Sequence, residues 1–269
     1  MTTPRKLPIV LLATTISSFT TPFMGSSVNV ALPAIGRDFS MDAISLSWVA
    51  SSFLLAAAIM LLPMGRLTDL FGRRIFFLSG SLIFSLSSLL GVWPETANLF
   101  IALRVVQGIG AAMIFSTGTA LLVSAYPAGE RGKMLGINIA AVYTGLTVGP
   151  LIGGLLTQHL GWPAIFIVNA ALGLAAAVLA VGMEKEKPSA ARGEPFDLSG
   201  SLLYAAALFA LMYGFSRLTS SLGAVLIAGG GVCFIVFIRR QLKNRSPLIN
   251  LHLFLGNRVF VFSNLAALI

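Results

Sequence analysis

The hydrophobic pattern of this chain is slow and coarse. Blocks of about 20 mainly apolar residues alternate with short polar stretches, at about 8–33, 43–64, 75–93, 98–125, 134–158, 163–183, 198–216 and 221–238. A ninth block opens near 258 and runs to Ile269. A helix rising 1.5 Å per residue needs about 20 residues to cross a hydrocarbon core of about 30 Å, so each block predicts one membrane-spanning α-helix. The expected fold class is all-α, a polytopic membrane helix bundle.

Composition agrees with that pattern. The 269 residues are 57% hydrophobic with a mean hydropathy of +0.91, against roughly 45–50% apolar residues in a soluble domain. Arg5 and Lys6 before the first block also fit a secretory signal peptide, but the apolar run outlasts a signal core and further spans follow it. The single cysteine, Cys233, excludes an internal disulfide, and His159 and His252 stand apart with no metal-ligand spacing. No metal site and no cofactor are expected.

The net charge of +9 changes the picture through its distribution. Lys and Arg crowd into every second loop: Arg5 and Lys6; Arg66, Arg73 and Arg74; Arg131 and Lys133; Lys185, Lys187 and Arg192; Arg239, Arg240, Lys243 and Arg245. The alternate loops hold Arg37 and Arg217. Basic loops stay on the cytoplasmic side, which places the N-terminus inside, in a plasma (cytoplasmic) membrane. A nucleic-acid binder would gather its bases on one solvated face, so nucleic acid is not an expected partner.

Two polar stretches divide the chain. "EKEKPSAARGEPFD", Glu184–Asp197, reads as a cytoplasmic linker between six helices (1–183) and an additional pair (198–238). Residues 239–269 read as a second linker and the start of a further half.

Candidate chemistry is sparse within the blocks. All nine acids, Asp38, Asp42, Asp69, Glu95, Glu130, Glu184, Glu186, Glu194 and Asp197, lie outside them. That argues against an intramembrane aspartyl protease, and no phosphate-binding G-x-x-x-x-G-K-[ST] loop is present. With no nucleophile and base set either, an enzyme is not expected. Arg104 is the ionisable residue inside a block. A guanidinium in lipid costs at least about 2.5 kcal/mol, so it should face a cavity or a hydrogen-bonding partner, or else snorkel outward from the helix end. Gln107, three residues on, shares its helical face. In "GLTVGPLIGG", Gly145, Gly149 and Gly153 form a smooth stripe for close helix approach, Gly154 follows, and Pro150 should bend the helix. "GRLTDLFGRR", Gly65–Arg74, is expected to be the short loop between the second and third helices.

Together these motifs resemble the major facilitator superfamily. "GRLTDLFGRR" is similar to its signature loop through Gly65, Leu67, Asp69, Gly72, Arg73 and Arg74; "RVVQGIGAA" to its fourth-helix motif through Arg104, Gln107, Gly108 and Gly110; and "GLTVGPLIGG" to its fifth-helix antiporter motif. "SSVNVALPAI" and the extra helix pair resemble the fourteen-helix drug/proton antiporter branch, of which this chain would be the N-terminal portion. The resemblance implies a secondary transporter, with proton-coupled efflux of drugs or other small amphipathic molecules by alternating access. Asp69 would latch the cytoplasmic face with nearby arginines and helix ends, and Gly65 and Gly72 would allow tight turns beside it. Arg104 and Gln107 would serve proton coupling or cavity polarity. Phe23, Met24, Asn29, Phe115 and Tyr143 would line a substrate cavity, with ordinary helix packing as the competing reading. Met24 stands where many members of the branch carry an acid. The implied partners are membrane lipid, a small-molecule substrate, a proton or other coupling ion, and a missing C-terminal half or a partner chain. The competing reading of the whole is a non-transporting membrane scaffold, or a half-module that works only with such a partner.

Overall fold

A computed structural model of the chain describes residues 7–184, 194–218, 220–244, 246–251, 261–263 and 265. The fold is an all-helical membrane bundle. Its helices are α1 (Leu7–Asp38), α2 (Ala43–Phe71), α3 (Arg73–Leu90), α4 (Ala97–Ala125), α5 (Ala128–Leu160), α6 (Pro163–Val181), α7 (Leu198–Phe215) and α8 (Ser221–Lys243). All eight are long and apolar enough to cross a membrane. The expected ninth span falls mostly outside the described residues; 261–263 and 265 are helical.

Local chemistry sets several helix starts. Asp42, Thr96, Asp197 and Ser220 each cap a helix by accepting the main-chain N–H three residues on, at 2.9, 3.3, 2.9 and 3.1 Å. Each satisfies a donor that the first helical turn leaves open.

The helices outrun the apolar blocks. α2 continues through the polar stretch to Phe71 rather than stopping near 64, α5 begins at Ala128 rather than 134, and α8 extends to Lys243. "GRLTDLFGRR" is therefore not a loop: only Gly72 separates α2 from α3. Hydropathy marks where lipid ends, whereas a helix hydrogen-bonds itself and continues into water until something stops it. Gly72 stops α2 with φ +105°, a conformation that glycine enters freely, and its N–H closes on the Thr68 carbonyl at 2.9 Å. Gly65 lies inside α2 and forms no turn, which corrects the expected role of that residue.

The chain forms two compact units, Met1–Arg192 and Gly193–Ile269. In the first, α1 packs mainly on α5 and α6, and α4 lies against both α2 and α3, with α3 also on α6. Its core runs from Ala13, Met24, Val28 and Ile35 to Phe53, Phe84, Phe100, Ile165 and Phe166. Four rings close one end: Phe100 stacks on Phe39 at 5.4 Å and meets Trp162 and Phe166 edge-on at 5.3 and 5.4 Å. Trp162 Nε1 donates to Asp38 Oδ2 at 2.6 Å, so the buried indole keeps its polar bond. In the second unit, α7 and α8 pair as a hairpin.

Candidate functional site

Three constellations in the first unit carry the residues singled out from the sequence. The first is the α2–α3 junction. Asp69 and Arg73 sit four residues apart across Gly72 and pair at 3.7 Å, with side chains 48% and 34% exposed. Arg74 turns away from this pair. Its Nε and Nη2 donate to the carbonyls of Ala180 and Val181, at 3.1 and 2.6 Å, where the last turn of α6 leaves acceptors open. A cation there also complements the negative end of the helix dipole. The junction thus includes a partly exposed ion pair and an arginine anchored to a helix end.

The second constellation surrounds Arg104, about 10 Å along α4 from its first residue. Its side chain is buried, 1% exposed, rather than snorkelling. Nε donates to the Val49 carbonyl of α2 at 2.9 Å, and Nη1 donates to Gln107 Oε1. Gln107 Nε2 donates to Ser88 Oγ of α3 at 2.6 Å, and Ser88 donates to the Phe84 carbonyl at 2.6 Å. The guanidinium lies over the Phe53 ring at 4.5 Å and near the Phe166 ring of α6 at 5.9 Å. Its charge is held by neutral groups: a carbonyl, a carboxamide and two ring faces. The network ties α2, α3, α4 and α6 together at one level. Gly110 lets it assemble, since a Cβ there would sit 2.7 Å from the Phe84 main-chain nitrogen.

The third is the seam between α1 and α5. Gly145, Gly149 and Gly153 are buried against α1 at Phe19, Ser26 and Ser27. Ser26 Oγ donates to the Gly145 carbonyl at 3.2 Å and Ser27 Oγ to the Gly149 carbonyl at 3.0 Å. Small residues bring the backbones close enough for hydroxyls to bridge them. α5 runs unbroken through Pro150, and Gly154 lies off the stripe, with Val30 3.7 Å from where a Cβ would stand.

The five proposed cavity residues lie on α1, α4 and α5. Phe23 and Met24 are buried, while Asn29, Phe115 and Tyr143 are exposed on three different helices. Sequence reasoning missed Val49, Ser88, Phe53 and Phe166 around Arg104, because a main-chain carbonyl or a core ring carries no signature of the charge it will meet. It also missed the α6 carbonyls that hold Arg74.

The profile of the Major Facilitator Superfamily matches residues 14–268. The chain belongs to this superfamily. Among curated proteins, it is 31% identical over 262 residues to the riboflavin transporter RibZ of Clostridioides difficile, covering 96% of this chain and 56% of that protein. It is 35% identical to the multidrug resistance protein Stp of Mycobacterium tuberculosis, covering 91% and 47%. To the tetracenomycin C resistance and export protein of Streptomyces glaucescens it is 30% identical, covering 91% and 46%. The chain spans about half the length of these Major Facilitator relatives. Among solved structures, the proton:xylose symporter XylE superposes with a TM-score of 0.62 at 13% identity, over 97% of this chain and 57% of that one, which establishes the fold alone.

Proposed function

We propose that this chain is the N-terminal portion of a secondary exporter in the fourteen-helix drug/proton antiporter branch, moving small amphipathic molecules by alternating access across the plasma membrane with its N-terminus inside. The observation that carries this reading is the α2–α3 junction. An acid half exposed beside a one-residue glycine break is a charge that another helix end can capture and release, while Arg74 fixes the neighbouring helices. Such a pair gives alternating access a two-state latch.

Drug efflux rests on kinship with resistance and export proteins. Kinship with a riboflavin transporter favours planar, amphipathic cargo within the same class. In this reading Arg104 supplies a fixed positive potential to the outer half of the pathway. A guanidinium holds its proton too tightly to carry one across, so coupling rests on an acid elsewhere in the full-length transporter.

The test uses the full-length protein in proteoliposomes, with ethidium as cargo and an imposed proton gradient. Wild type should drive efflux that collapses with the gradient. Asp69→Asn should slow it about fivefold at equal incorporation, the effect of removing a bias of about 1 kcal/mol between two states. Gradient-independent movement would overturn proton coupling, and unchanged efflux in Asp69→Asn would overturn the latch.

A further inference from the structure

A cavity of about 460 Å³ opens at the basic end of the α7–α8 hairpin, wholly within the second unit. Its lining is mixed: Arg240, Ser199, Asn244 and Ser246 are polar, and Pro195, Phe196, Leu198 and Leu202 are apolar. The two leucines are one turn apart on α7 and are 62% and 63% exposed.

The acid at this end is already satisfied. The Asp197 side chain is 4% exposed and accepts from the Gly200 N–H at 2.9 Å, Ser199 Oγ at 3.2 Å, Gln241 Nε2 at 2.9 Å and Asn244 Nδ2 at 2.7 Å. Arg240 Nη2 adds a weaker contact at 3.4 Å and donates to Ser199 Oγ at 2.6 Å. These bonds employ one nitrogen of a five-donor guanidinium whose side chain remains 48% exposed. Arg239 and Lys243 on the same helix end are exposed as well. Topology alone accounts for bases at a helix end, but not for an open cavity lined by a cation and apolar side chains together.

We propose that this groove binds one anionic phospholipid. Its phosphate sits against Arg240, with Ser199 and Asn244 as hydrogen-bonding neighbours, and an acyl chain follows Leu198 and Leu202 toward the hydrocarbon. Arginine suits this role because it meets phosphate oxygens with paired N–H donors, and a basic pocket between helices at the membrane surface attracts anionic headgroups.

The experiment incorporates the full-length protein into nanodiscs carrying a trace of photoreactive phosphatidylglycerol or photoreactive phosphatidylcholine, and maps the labelled residues. Phosphatidylglycerol should label the 198–202 turn about fivefold more than phosphatidylcholine, a ratio that falls as salt is raised. Arg240→Gln should bring the two lipids level, and Arg240→Lys should restore most of the preference. The wild-type lipid comparison and its salt dependence need no variant, so they decide the matter even where Arg240→Gln folds poorly. Equal labelling by both lipids would reduce the groove to an apolar surface and overturn the proposal. Loss of labelling on adding millimolar inorganic phosphate would assign the polar end to a free anion and overturn it too.

Discussion

Arg104 reaches from α4 to the main-chain carbonyl of Val49 in α2, donating through Nε at 2.9 Å, and the same guanidinium donates to Gln107 one turn further on. The bond to Val49 is lost if α2 shifts against α4, whereas the bond to Gln107 lies within α4 and keeps the charge in place. Removing the side chain therefore does more than remove a charge.

Arg104→Ala opens space between four helices and takes away the donor to Gln107 Oε1 and the interhelical bond to the Val49 carbonyl. The expected loss is about 2–4 kcal/mol, combining interhelical hydrogen bonds, a cation–ring contact and a cavity. Abundance and thermal stability in detergent should fall together with transport. A variant that melts like wild type would show that Arg104 acts on transport alone. Gln107→Leu keeps the volume but removes both the acceptor of Arg104 Nη1 and the donor to Ser88, and should cost about 1–3 kcal/mol.

The spans, their order and the clustering of charge were legible because they depend on composition over about 20 residues, which the bilayer reads as a sum. The network around Arg104 was half legible. The cost of a guanidinium in lipid demanded partners and Gln107 stood at the right spacing, but Val49 offers only a carbonyl, which every residue has. The end of α2 was misread for a different reason. Polar residues Arg66, Thr68 and Asp69 ended the apolar block, yet each is tolerated in a helix leaving the membrane, and the break waits for Gly72. The bonds of Asp197 to Gln241 and Asn244 had no signal, since they join residues 44 and 47 positions apart.

That misreading yields a contrast between two glycines of one motif. Gly72→Ala forces a Cβ into φ +105° and should cost about 1–3 kcal/mol. Gly65→Ala meets nothing within 4 Å inside a helix and should be neutral, or stabilise by up to about 1 kcal/mol. Thermal melts of the two variants in one detergent decide it. Equal destabilisation would mean that the helix does not run through Gly65.

The α1–α5 seam offers a second contrast. In Gly153→Ala the new Cβ would lie 2.7 Å from Ser27 Cβ and 2.8 Å from Ser27 Cα, so the helices must part, at about 1–3 kcal/mol. In Gly154→Ala it would lie 3.7 Å from Val30 Cγ1, an ordinary contact, and should cost nothing measurable. Cysteine cross-linking between Ser18→Cys and Asn138→Cys, whose native side chains meet at 2.9 Å, reports the seam directly. Its yield should drop in Gly153→Ala and hold in Gly154→Ala. Equal yields in both would place the close approach elsewhere.

Asp197 gives the hairpin a pH dependence of definite sign. Burial pushes its carboxyl upward, but the Gly200 N–H, Gln241, Asn244 and Arg240 favour the ionised form more strongly, so it titrates below the ordinary carboxylate value of 3.8. A carboxyl whose closed-state pKa is lowered contributes its full stabilisation above the value it has when the hairpin end opens, and loses it as pH falls through the closed-state value. The contribution is therefore complete at neutral pH and fades below about 3.8. Asp197→Asn keeps the shape, replaces two acceptors by one, and should loosen the hairpin end at pH 7 by about 1–3 kcal/mol. The readout is hydrogen exchange at the Gly200 amide, bonded to Asp197, and the Leu248 amide, bonded to Gln241 Oε1 at 2.7 Å. Both should exchange about tenfold faster or more in the variant at pH 7, after correction for intrinsic rates. The gap should narrow as wild type is acidified below that value. A gap that persists unchanged into strong acid would mean that the carboxylate's charge contributes nothing, and that the node is held by its neutral hydrogen bonds alone.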